Sequence, residues 1–137
     1  MITSYADFVA GLAELVVPGV RRRLPHPPSQ IGTGDLPLQF VRLPEGEEGA
    51  LTADGGGGWP RLAGELVIVV SPTHQGKAQS SYAATVALID AVSSTLRNVL
   101  PGQLCKSKIA WSVRGTQDYL GGDTEYWLVV ARVTGNG

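Results

Sequence analysis

The residues best placed to do chemistry lie where an apolar run, Leu66 to Val70, passes through Ser71-Pro72-Thr73-His74-Gln75 into Gly76-Lys77-Ala78 and a helical segment. A strand, a Gly-Lys turn and a helix in that order form the frame of a phosphate-binding P-loop. Such a loop requires G-x-x-x-x-G-K-[ST], in which backbone N–H groups cradle phosphates, lysine balances their charge and a hydroxyl binds Mg²⁺. Gly76-Lys77 satisfies the second half. Ser71, however, stands at the first glycine, Pro72 removes a backbone donor, and Ala78 offers no metal ligand. No later apolar strand ends in an aspartate that could supply an acidic ligand. The expectation is a structural connection turned by Pro72 and Gly76, with Lys77 as an exposed cation.

The remaining candidates are sparse. His26 sits among prolines and His74 in the strand–helix turn, so the two lack metal-ligand spacing. Ser80 and Ser81 follow no nucleophile elbow, and Ser93-Ser94 lie within a helix, without a positioned base. Glu45, Glu47, Glu48 and Asp54 have no regular spacing and read as a solvated loop. Arg21-Arg22-Arg23 reads as a cation cluster at a helix end, offsetting its dipole. Trp59 ends a glycine run beside Pro60 with little local core to join, which suits an interface anchor. No catalytic, cofactor or metal site is expected, and the chain reads as a non-enzyme.

Composition narrows the class further. At 137 residues with 43% hydrophobic content, the chain fits one domain, 1–137, able to bury a core. Eleven basic against twelve acidic residues leave a net charge of −1, unlike a sequence-independent nucleic-acid binder. The single Cys105 excludes an internal disulfide framework and a cysteine zinc site, and reads as a small buried or half-buried residue. No apolar run approaches a membrane span, and Asp7 and Glu14 stand where a basic leader would be. The expectation is a soluble protein made in the cytoplasm.

The elements that must position these residues follow from periodicity. Ser4 caps a helix over 5–17 in which Tyr5, Phe8, Val9, Leu12, Leu15 and Val16 share a face, ended by Pro18-Gly19. Leu24 to Pro28 is extended. A strand is expected over 36–42, then a flexible loop at about 44–60 carrying the four acidic residues and Gly55 to Gly58. A buried strand over 64–70 precedes a helix over 79–100, with Tyr82, Val86, Ile89, Val92, Leu96 and Leu100 at 3–4 spacing. Strands over 108–114 and 126–133 flank a turn at 117–123. Ile109, Trp111 and Val113 share a face of the first, and Trp127, Val129, Ala131 and Val133 point inward from the second. The order α-β-β-α-β-β implies an α+β fold: a mainly antiparallel four-stranded sheet with two helices on one face.

This layout resembles the tail terminator, or tail-completion, proteins of long-tailed bacteriophages. The matching features are the short amphipathic N-terminal helix, the Trp59-Pro60-Arg61 element before the strand at Glu65 to Val70, the Ala-rich helix ending in Leu100-Pro101-Gly102, and the closing Tyr126-Trp127-Leu128-Val129-Val130-Ala131-Arg132-Val133. The chain departs from that layout in Pro25 to Pro28 and Gly55 to Gly58. The resemblance implies a virion subunit that forms a ring, usually a hexamer, on the head-proximal end of the tail tube. Its partners would be further copies of itself, the tail tube protein and a head-completion or neck protein. Genomic DNA would pass through the lumen without specific binding. Interface candidates are Glu45, Glu47, Glu48, Asp54 and Trp59 in the long loop, Tyr119 and Asp123 in the 115–124 turn, and Arg21, Arg22 and Arg23. Two other readings are a head–tail connector or neck subunit of similar fold, and a small domain using Thr73 to Lys77 to bind an anion or nucleotide.

Overall fold

Ser4 adopts an extended backbone, and its hydroxyl accepts the N–H of Asp7 at 3.1 Å, satisfying one of the donors a helix start leaves unpaired. Helix α1 runs from there over Tyr5–Ala13. It ends short of the expected Val17, because the N–H of Leu15 turns back to the carbonyl of Leu12 and Pro18 cannot prolong the ladder. The computed structural model describes residues 3–47 and 61–137; Glu48, Asp54 and Trp59 lie outside the described residues.

Six strands follow: β1 (Arg22–Arg23), β2 (Leu38–Val41), β3 (Glu45–Glu47), β4 (Arg61–Pro72), β5 (Ala110–Tyr119) and β6 (Glu125–Asn136). Helix α2 spans Ala78–Arg97 between β4 and β5. The fold is α+β, but the sheet is mixed and six-stranded rather than four-stranded. Its order is β1-β2-β4-β6-β5, with β3 beside β4, end to end with β2. Only the β1–β2 pairing is parallel. Two short strands were not expected: β1 lies in the arginine cluster, and β3 in the segment assigned to a loop. Both are recruited by neighbours. The N–H groups of Arg21 and Leu24 reach the carbonyls of Pro37 and Gln39 beside β2, and Glu45 to Glu47 align with β4.

The sheet is buried on both faces. Leu62, Leu66, Ile68, Val129, Ala131 and Val133 face α1 and α2, which supply Phe8, Leu12, Leu88, Val92 and Leu96. Both helices therefore lie on one face, as expected. Alternate residues Val67, Val69, Leu128 and Val130, with Leu38 and Phe40, form a second cluster covered by Leu24, Ile31, Leu36, Leu120 and Tyr126. A nine-residue helix is marginal on its own in water. Phe8 and Leu12 are fully buried, and at roughly 1.5–3 kcal/mol each their burial is what fastens α1 to the sheet. Gly64 permits this approach: a Cβ there would meet Leu12 Cδ1 at 2.8 Å.

Helix α2 keeps the expected stripe at Val92 and Leu96 and departs from it elsewhere. It ends at Arg97, leaving Leu100 beyond it and exposed. Its core-facing positions are Ser81, Thr85, Leu88, Val92 and Leu96, whereas Tyr82 and Val86 are 62% and 41% exposed. Polar groups can face inward here because each is paired. The hydroxyl of Ser71 donates to that of Ser81 at 2.9 Å, and Thr85 donates back to the carbonyl of Ser81 at 2.7 Å. The next stripe round, Tyr82 to Ile89, leans over β5 and β6 instead, where Tyr82 meets Trp127 edge-on at 6.4 Å.

Candidate assembly interface

The strand–turn–helix that raised the phosphate reading is occupied with structural contacts. Thr73 to Gln75 makes a single 3₁₀ turn, and Gly76 at φ 67° supplies the left-handed residue that leads into α2. The hydroxyl of Thr73 donates to the Glu125 carboxylate at 3.0 Å, which sets a negative charge beside the turn where a phosphate would need positive potential. Lys77 stands at the start of α2 without a capping side chain, and His74 is exposed. Among the described residues, no group of three or more His, Cys, Asp or Glu side chains is placed to hold a metal. Cys105 is buried, its sulfur close against Gly135, as a small core residue.

The candidate interface residues fall on the two edges of the sheet. At one edge, the arginine cluster serves two purposes. Arg23 donates to the carbonyl of Glu14 at the end of α1, at 2.8 Å, matching the expected helix-end role. Arg21 and Arg22 instead tie down the 33–35 turn, through the Gly34 carbonyl at 2.7 Å and the Asp35 carboxylate at 3.0 Å. Further along that edge, Glu45 pairs with Arg132 at 2.7 Å, and Glu47 is exposed at the end of β3. At the opposite edge lies β5, with Tyr119 at its end 55% exposed and Asp123 exposed in the turn to β6. In strand order β1 and β3 lie on one side of the sheet and β5 on the other, while the β5–β6 turn with Tyr119 and Asp123 reaches the 27–31 segment that follows the arginine cluster.

Two grooves border these edges. One, about 350 Å³, lies between Pro27, Pro28 and Ile31 and the β5–β6 turn at Tyr119 to Gly121, floored by Phe40. The other, about 310 Å³, runs between α2 and β5, lined by Tyr82, Val86, Ile89, Gly115, Gln117 and Trp127. Gly115 keeps the second one narrow, since a Cβ there would stand 3.1 Å from Ile89 and 3.2 Å from Thr85. Tyr82 and Val86 escaped sequence reasoning as surface candidates. Their apolar character at helical spacing argues for core, and only the pairing of Ser81 and Thr85 shows that the inward stripe lies one position earlier in the first half of α2, before it meets the expected Val92 and Leu96. Asp118, exposed near the end of β5, was also missed, because a single charge in an alternating strand carries no signal of its own.

Neither a protein-family model nor a curated protein matches the chain. None of the helices among the described residues is long and apolar enough to cross a membrane.

Proposed function

We propose that this protein is a ring-forming structural subunit of a bacteriophage tail, of the tail terminator type. It would cap the tail tube at its head-proximal end, stop tube growth and offer a surface for head joining. The observation that carries the assembly reading is the ten-residue strand β5 at the edge of the sheet, with one side of its backbone unpaired among the described residues. Long open edges template further pairing, and monomeric proteins keep them short or covered. The exposed Tyr82, Val86 and Tyr119 flank this edge, adding aromatic and apolar surface of the kind interfaces use.

The tail assignment within that reading comes from the resemblance of the sequence layout to that of tail terminators. A net charge of −1 suits a lumen through which DNA passes, because a strongly basic wall would hold phosphate and retard transit. Cyclic rings use heterologous contacts, in which one surface meets a different one, and a sheet with two unlike edges supplies both. Negative-stain electron microscopy of the purified protein tests this reading. Rings with a central hole are expected; isolated particles of monomer size at high concentration would refute it.

A further inference from the structure

The direction in which each strand turns its backbone groups carries across the sheet to the open edge. The N–H of Arg42 reaches the carbonyl of Glu65, in line with the β2–β4 register, so Glu65, Val67 and Val69 turn their backbone groups toward β2. Successive residues of an antiparallel strand bond to opposite neighbours. Gly64, Leu66 and Ile68 therefore bond to β6, at Val133, Ala131 and Val129. The β6 residues between them, Arg132, Val130 and Leu128, bond in turn to Ser112, Arg114 and Thr116 of β5. That leaves the N–H and C=O groups of Val113, Gly115 and Gln117 pointing off the sheet. Tyr119 agrees with this parity: its N–H donates to the Asp118 carboxylate at 2.8 Å, which holds that carboxylate at the edge.

The side chains of β5 alternate as well. Val113 packs into the helix-side core, whereas Arg114 and Asp118 project from the other face, both exposed, with half-buried Thr116 between them. Neither charge has an ion pair among the described residues. Opposite charges set symmetrically about one residue make this edge complementary to itself. If β5 pairs antiparallel with β5 of a second copy, the register is fixed by the residue on the two-fold axis. With Thr116 on the axis, Gly115 bonds to Gln117 of the second copy, so outward groups meet outward groups. Arg114 then lies opposite Asp118 in the closer, non-hydrogen-bonded kind of pair, with Cα atoms about 4.5 Å apart. Moving the axis to Arg114 or Asp118 sets like charges face to face. Moving it to Gly115 or Gln117 leaves neither charge opposite the other.

We infer that two copies of this chain join β5 to β5 about a two-fold axis at Thr116, each Arg114 paired with the Asp118 of the other copy. The contact is isologous, one patch meeting itself. Helix α2 adds apolar surface to it. Tyr82 and Val86, 62% and 41% exposed, line a groove with Gly115, Thr116 and Gln117, so the axis sets the grooves of the two copies side by side. This pairing does not depend on ring formation. A ring that uses the β5 edge competes with it, since either assembly closes the edge. The dimer takes fewer copies, so dilution favours it. It also keeps a ten-residue open edge from pairing at random before assembly.

Charge exchange tests the register. Arg114→Asp and Asp118→Arg are each expected to raise the dimer dissociation constant at least about tenfold, read by sedimentation velocity across a dilution series at low salt. Mixed in equal amounts, the two variants are expected to form heterodimers, because opposite charges then meet at both pairs; misfolded variants could not do so. Thr116→Cys should give a disulfide-linked dimer on mild oxidation, whereas Ser112→Cys, remote from the axis, should not. Single variants that dimerise like wild type, or a mixture no tighter than its components, would overturn the contact. Wild-type protein that passes from rings straight to monomers on dilution would overturn the dimer and leave the ring reading standing. Dimers with no ring at any concentration would support the contact and refute the ring reading. Monomers throughout would overturn both.

Discussion

Replacing Gly64 with alanine tests how closely α1 is set against the sheet. The added Cβ would stand 2.8 Å from Leu12 Cδ1 and 3.1 Å from Phe8 Cε2, where ordinary contact begins at 3.4 Å. Leu12 would have to retreat by about 0.6 Å, yet both side chains are fully buried and have no open space to enter. Such overpacking costs about 1–3 kcal/mol. Alanine recovers about 0.4–1 kcal/mol by restricting the unfolded chain, leaving a net loss of about 1–2 kcal/mol. For a domain of this size that lowers Tm by roughly 5 °C. Urea and thermal unfolding followed by circular dichroism would measure it. Gly122→Ala is the control, because nothing lies within 4 Å of its Cβ position; its stability should stay within about 0.5 kcal/mol of wild type. Leu12→Val should cost less in the Gly64→Ala background than alone, since it withdraws the colliding methyl. A Gly64→Ala protein as stable as wild type would refute the close approach of α1 to β4.

Other expectations follow from single contacts. Ser4→Ala removes the cap of α1 and should lower unfolding stability by about 1 kcal/mol, whereas Ser4→Asp should keep most of it. The Glu45–Arg132 pair is 47–67% exposed, so a double-mutant cycle should give a coupling below about 1 kcal/mol that shrinks with added salt. The Cys105 thiol should react slowly with Ellman's reagent in the folded protein and at once in urea. Gly135→Ala, whose Cβ would collide with that sulfur, should speed the folded-state reaction. Calorimetric titration with inorganic phosphate should give no heat, given the Glu125 carboxylate beside the turn. Micromolar binding that disappears in Lys77→Ala would revive the anion-site reading.

Elements with a long period were legible in the sequence, and those made by their neighbours were not. The cap at Ser4, the inward face of Val129, Ala131 and Val133, and the burial of Cys105 each follow from local chemistry. β1 and β3 are two and three residues of mostly charged sequence, and they are strands only because β2 and β4 present open partners. β4 extends to Arg61–Pro72 because β6 runs beside it for its full length. Along α2, Val92 and Leu96 are buried as their spacing implies, but Ser81 and Thr85 sit inward in the first half because their hydroxyls are paired, and no apolar periodicity announces a hydrogen bond. Arg21 to Arg23, Glu47, Tyr119 and Asp123 belong to separate segments whose sequences carry no sign of their relative placement. That β1 and β3 lie on one side of the sheet and β5 on the other is visible only in the strand order.

A ring-forming subunit of this kind should end tube growth. Its most direct test is the length of tubes polymerised in vitro from the cognate tail tube protein, with and without this protein added at substoichiometric amounts. Shorter tubes are expected, each bearing one extra ring of density at a single end. Tubes of unchanged length with bare ends would contradict it.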